Sequence, residues 1–201
     1  MAKTGLRYIV VAKLISANEG QTPTYEKGMV LGAGVAADIT YTINEAKLYA
    51  NNALKESAKA ITGGTINLTL DDLLNEARAY ALNVKKIEDG ETPTWRTIGK
   101  SAPYVGIGFI EERIIDGVTK HLPTWVYKCQ FAPQGKSAQT RGENVELRTT
   151  QVNGEMMGVY PDTSGDVTFI DEKEFENGED ATAWINEMAG ITTANAAAME
   201  E

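Results

Sequence analysis

The chain is short of several things that chemistry needs. Its 201 residues include one cysteine, Cys129, and one histidine, His121. A single thiol excludes an intrachain disulfide and the cysteine-rich zinc sites. A single imidazole excludes two-histidine metal motifs, and any Ser–His–Asp relay would have to run through His121. Positive charge is scarce as well: 19 Lys plus Arg stand against 28 Asp plus Glu, a formal net charge of -9. General nucleic-acid binders carry the opposite balance, because phosphate contacts need cations. No run approaches the roughly 20 apolar residues that span a bilayer, so no membrane insertion is expected. Residues 6–15 are interrupted by Arg7 and Lys13 and do not make a clean signal-peptide core. The expectation is a soluble protein made in the cytoplasm.

What is present reads as a globular chain. Apolar residues are 42% and charged residues 23%, which excludes wholesale disorder. The length suits one domain, taken as residues 1–190 with a flexible tail over 191–201. Residues 6–15 are rich in β-branched and aromatic side chains and read as a strand. Residues 38–43 and 65–70 alternate polar and apolar, which predicts strands with one face in the core. Between them, residues 44–61 carry no apolar stripe at helical spacing and are broken by Asn51-Asn52. They read as a long excursion that cannot bury itself, and such loops are usually functional or disordered.

Asp71 and Asp72 offer helix N-cap oxygens, and Leu73, Leu74, Ala77, Tyr80, Ala81 and Val84 follow at helical spacing. Asp89-Gly90, Asp116-Gly117 and Asn153-Gly154 are two-residue hairpin signals, suited to a turn that needs positive φ at both positions. The second joins strands over 104–115 and 118–131, with Pro123 suggesting a bulge or an edge. The third is flanked by strands over 144–152 and 155–160, and residues 166–170 read as one more. A last helix spans 179–188, with Ala181, Trp184, Ile185 and Met188 on one face and Gly190 as its stop. Many strands, tight hairpins and two helices predict a mainly β (α+β) fold. The expected form is an antiparallel β-sandwich or barrel with a flanking α-helix and a C-terminal helix.

The search for chemistry returns no catalytic residue, no metal site and no cofactor. Gly32-Ala33-Gly34-Val35-Ala36-Ala37 matches a dinucleotide-type G-x-G-x-x-A pattern, but a strand-like alternation follows it and no helix opens. His121 lacks a nucleophile elbow beside it. Cys129 falls inside a strand pattern and reads as a packed residue. The acidic runs at 71–72, 111–112 and 171–174 read as capping, a strand exit and a solvated loop. A chain of this size without a catalytic set is expected to act through shape and assembly, not as an enzyme.

The ordered features resemble the major tail protein, or tail tube protein, of long-tailed siphophages. Residues 5–12 (GLRYIVVA) resemble that family's first strand. Ala46-Lys47-Leu48-Tyr49-Ala50-Asn51-Asn52 is similar to its "TLYADD"-like stretch, with Asn where acids are common. Residues 64–73 resemble the strand that enters the helix, and Ala138-Gln139-Thr140-Arg141-Gly142-Glu143 resembles its "QTRGE"-like turn. The resemblance runs in one order from Gly5 to Gly190.

It implies a virion protein that assembles in the host cytoplasm into hexameric rings. The rings would stack as a tube through which genome DNA is ejected without specific binding. It also implies tape measure, distal tail and tail terminator proteins as partners. The excursion then becomes the inter-ring contact arm, with Glu45, Lys47, Leu48, Tyr49, Asn51, Asn52 and Leu54 as contact candidates. An acidic lumen would repel phosphate and let DNA slide, and Asp38, Glu143, Glu146 and Glu155 are the lumen candidates. Two alternatives stay open: a tube protein of a bacteriocin or secretion particle, and a non-catalytic β-sandwich binding module using Trp95 and Trp125. An enzyme working through carboxylates alone is a third class.

Overall fold

The computed structural model describes residues 2–50, 53–88, 90–135 and 149–191. In chain order these form β1 (Ala2–Ser16), β2 (Thr24–Tyr25), β3 (Met29–Gly32), β4 (Gly34–Ala50), β5 (Ala53–Leu70) and α1 (Asn75–Ala81). There follow β6 (Val84–Ile87), β7 (Thr94–Thr97), β8 (Tyr104–Ile115), β9 (Val118–Phe131), β10 (Thr150–Met156), β11 (Ile170–Glu172) and α2 (Gly178–Met188). One sheet takes the order β2-β1-β8-β9-β10-β5-β4, with β3 lying along β1 and β11 along β9, and β6 and β7 make a small separate sheet. Every pairing is antiparallel. Only Ala33 separates β3, paired to β1, from β4, paired to β5. The chain thus bridges two ends of a curled sheet, while among the described residues no ladder joins β1 to β4. The fold is mainly β, as the pattern predicts, but the sandwich or barrel is not closed.

β1 is buried on both sides. Ile9 and Val11 pack with Ile66, Leu68, Ile107 and the α1 residues Ala77 and Ala81. Val10 and Ala12 pack on the opposite side with Trp125 and the α2 residues Ala181 and Ile185. The period of two along a strand produces this division, and each helix covers one face. β8 admits α2 closely because it carries glycine there. A Cβ on Gly108 would lie 2.8 Å from Trp125 and 2.9 Å from Ile185, closer than carbon atoms pack.

Asp116-Gly117 is a two-residue hairpin loop, with Ile115 opposite Val118 and φ of 52° and 81°. The helix over 178–188 is also present. Asn177 Oδ1 caps it by accepting from the Glu179 amide at 3.0 Å, and Gly190 ends it at φ 65°.

Other expectations need correction. Asn153-Gly154 is not a turn but the middle of β10, paired to both β5 and β9. Its glycine answers a steric demand: a side chain there would run into Cys129 Sγ. Ile87 pairs with Thr94, so β6 and β7 are joined by 88–93 and not by a two-residue turn, and Asp89 lies outside the described residues. Pro123 sits opposite Ile110 without irregularity, and β11 pairs at the adjacent Thr124. The bulge falls instead between Val105 and Ile107. α1 begins at Asn75 without a side-chain cap. Asp71 and Asp72 each accept from the next backbone amide instead, Leu74 is exposed, and Val84 opens β6. In place of a strand over 166–170 there is a Val159–Thr168 bridge followed by β11. Ile191, placed in the tail, is buried among the α2 cluster. The rest of the tail lies outside the described residues.

Candidate functional site

Residues 44–61 are not a loop. β4 and β5 pair continuously from Gly34↔Leu70 to Ala50↔Ala53, with shifts at Gly34/Ala36, Thr42/Ile43 and Leu48/Tyr49. β10 accompanies β5 only as far as Met156↔Gly64. Beyond that point the two strands continue alone as a ribbon. Its length from Thr42 to Ala50 is about 30 Å at about 3.3 Å per residue. Polar alternation without helical periodicity hid this ladder, because a ribbon exposed on both faces has no core side to mark.

Every side chain from Tyr41 to Lys47 and from Lys55 to Thr62 is exposed. The core-facing stripe of β4 runs out of the body into the ribbon. Ile39 packs against the core, whereas Tyr41 is 43% exposed, Ile43 59%, and Ile61, opposite Ile43, 45%. Further out Glu45 gathers the charge. It lies 3.2 Å from Lys47 and 3.7 Å from Lys59, and accepts from Ser57 Oγ at 3.1 Å. Leu48, Tyr49 and Leu54 lie in the paired backbone near the end of the ribbon. Asn51 and Asn52 lie outside the described residues.

A second surface is the outward face of β4, β5 and β10. The register sets Asp38 opposite Asn67 and Asn67 opposite Asn153. On the same face Thr40 lies opposite Thr65, and Thr65 opposite Glu155. Two of the four acidic lumen candidates, Asp38 and Glu155, therefore share one exposed polar face. Glu143 and Glu146, with the 138–143 motif, lie outside the described residues. Residues 97–102 border this face and leave a groove of about 920 Å³ that includes Thr65, Asn67, Asn153 and Glu155.

The remaining sequence candidates are structural in their surroundings. Burial pushes the Cys129 thiol up to about 12, so the thiolate a nucleophile needs is absent near neutral pH. His121 Nδ1 is 3.4 Å from Glu112 Oε1 and 3.5 Å from Arg7 Nη2, and its backbone bridges to Phe175. Glu111 holds Arg113 through two oxygens, at 2.9 and 3.2 Å. Trp125 is fully buried, edge-on to Tyr25 at 5.2 Å, so it cannot offer a ring to a ligand groove. Trp95 is partly covered, with Lys86 Nζ 5.9 Å from its ring. Among the described residues no group of three or more His, Cys, Asp or Glu could hold a metal, and no helix is long and apolar enough to cross a membrane. Comparison with models of known families and with curated proteins returns no match to either.

Proposed function

We propose that the chain is a self-assembling structural subunit whose copies form hexameric rings stacked into a hollow tube of the phage-tail kind. The ribbon of β4 and β5 would be the contact arm between rings, and DNA would pass through the tube without specific binding. The observation that carries this reading is the ribbon itself. An isolated two-stranded hairpin is marginal in water, and this one leaves the body with an apolar root and, among the described residues, an unpaired outer edge along β4. Exposed strand edges template pairing with other chains, and closed assembly removes them. The shared polar face of Asp38 and Glu155 supports a lumen that repels phosphate. In this reading the protein belongs to a virion tail, with tape measure, distal tail and terminator proteins as neighbours.

The test is negative-stain electron microscopy of concentrated protein, with sizing by light scattering. Rings with six-fold symmetry or tubes are expected. Closed dimers without any polymer would overturn the reading in favour of a binding module.

A further inference from the structure

The molecule is acidic, yet the charged residues lining one of its concavities are all bases. A pocket of about 420 Å³ beside α1 and β6 is bordered by Lys13, Lys85, Lys86 and Lys100, with no Asp or Glu in its lining. Lys85 lies directly opposite Arg96 in the β6–β7 ladder, and like charges so placed destabilise a strand pair. Lys86 reaches Glu88 at 3.0 Å and Lys13 lies over the Tyr80 ring. Lys85 and Lys100 have no ion pair among the described residues. Such an arrangement is costly to a free subunit and becomes favourable once an anionic partner neutralises it.

The same chain carries the complementary charge elsewhere. From β11 through the first turn of α2, residues 171–180 hold Asp171, Glu172, Glu174, Glu176, Glu179 and Asp180 against one base, Lys173. All of these acids except Asp171 are exposed. Lys120 on β9 meets two of them, Glu176 at 2.7 Å and Glu174 at 3.6 Å. The two patches are separate on one chain: the pocket lies beside α1 and β6, and the acids run from β11 into α2. Among the described residues no ion pair joins these acids to the pocket lysines.

We infer that the lysine pocket of one copy receives the 171–180 segment of a second copy. Because donor and acceptor surfaces are different, the contact is head-to-tail. It propagates into a ring or a filament and does not stop at a dimer. The inference rests on the self-assembly proposed above and assigns it a second, electrostatic contact distinct from the arm. Its charges would steer encounter and fix register.

The test is carbodiimide cross-linking, which joins amines to carboxylates in contact, on an equal mixture of ordinary and 15N-labelled full-length protein. Mass spectrometry should find mixed-isotope links from Lys13, Lys85, Lys86 or Lys100 to Glu172, Glu174, Glu176 or Glu179. The Lys120–Glu176 link should be same-isotope and reports that the reaction worked. A second arm uses Lys85→Glu with Lys100→Glu, two exposed positions whose replacement leaves the fold intact by circular dichroism. This variant should self-associate at least about tenfold more weakly than the parent protein. Mixing it with Glu174→Lys, Glu176→Lys protein should restore association. If the parent protein assembles but the links are absent and the reversed variant assembles equally well, the inference is overturned while the assembly reading stands. If the parent protein never associates, both fall.

Discussion

The two halves of the β4–β5 ladder are one continuous pairing with two different sources of stability. From Gly34 to Tyr41, and from Gly64 to Leu70, the strands are part of the body. Ile66, Leu68 and Leu70 are fully buried, and β10 pairs along the outer edge of β5. From Thr42 and Thr62 outward, the antiparallel pairing continues past a register shift at Thr42/Ile43, yet no described side chain is buried and no third strand joins among the described residues. Hydrogen bonds contribute only about 1 kcal/mol each once water competes for the same groups, so the difference between the halves is buried apolar area. The body is a fold in its own right, whereas the arm is a ribbon held at its root and stabilised further only by what it meets.

The largest test of this contrast is a cavity in the body. Trp125→Ala removes a side chain wedged between Tyr25, Gly106, Gly108 and Ile185. It also leaves the Tyr25 hydroxyl without the indole N–H that reaches it at 3.3 Å. The expected loss is about 3–5 kcal/mol, measured as a shift of the urea midpoint with an unchanged slope. A loss below about 1 kcal/mol would mean that the face covered by α2 is not a rigid core, and the contrast with the arm would fail at its firm end.

How much of this was legible follows from the same contrast. Of the body strands, 65–70 could be read because burial of one face imprints alternation, 6–15 because β-branched and aromatic side chains suit a buried pleat, and 104–115 and 118–131 because Asp116-Gly117 marks the turn between them. α2 could be read because Ala181 and Ile185 repeat at helical spacing toward one face. The arm left no such imprint, and only its polarity and length showed that it was unusual. Asn153-Gly154 misled for a related reason. A glycine required by the approach of β10 to Cys129 looks, in sequence, like a glycine required by a turn. Of the acidic surface candidates, Asp38 and Glu155 were found by strand parity. That they share a face depends on register across β5, which no single strand encodes. The lysine pocket escaped notice because it gathers residues from β1, β6 and the 98–103 segment. Each of these is an unremarkable surface base on its own.

A smaller effect separates the halves by alkaline pH. The Cys129 thiol is raised by burial from its ordinary 9.0 to about 12, and the phenols of half-buried Tyr25 and buried Tyr127 are pushed upward from 10.0 for the same first reason. These groups stay protonated in the folded chain while the unfolded chain releases their protons. The unfolded state therefore binds fewer protons above pH 9, and stability falls as pH rises through the window from about 9 to about 12. For Cys129 alone the slope is on the order of 1 kcal/mol per pH unit. Denaturant midpoints taken at pH 8, 9, 10 and 11 should fall progressively, and Cys129→Ala should flatten the first part of that fall. An unchanged slope in the variant would show that the thiol is not buried in solution.

The smallest expected change in stability lies in the arm, and there the comparison is sharpest. Glu45 joins Lys47, Lys59 and Ser57 on a surface open to water, and exposed ion pairs of this kind contribute little to folding. Glu45→Ala should leave the denaturation midpoint within about 0.5 kcal/mol of the parent protein. Hydrogen exchange should show why. Amides of the ribbon at 43–47 and 55–60 should open locally, with far less protection than those of 65–70 on the same β5 strand. If the arm is an assembly element, the same substitution should weaken ring stacking and leave the monomer untouched, because a group that is screened in the free chain is desolvated in a contact. Strong exchange protection of 55–60 in the isolated monomer would break the contrast outright, since it would require the ribbon to be stable without any partner.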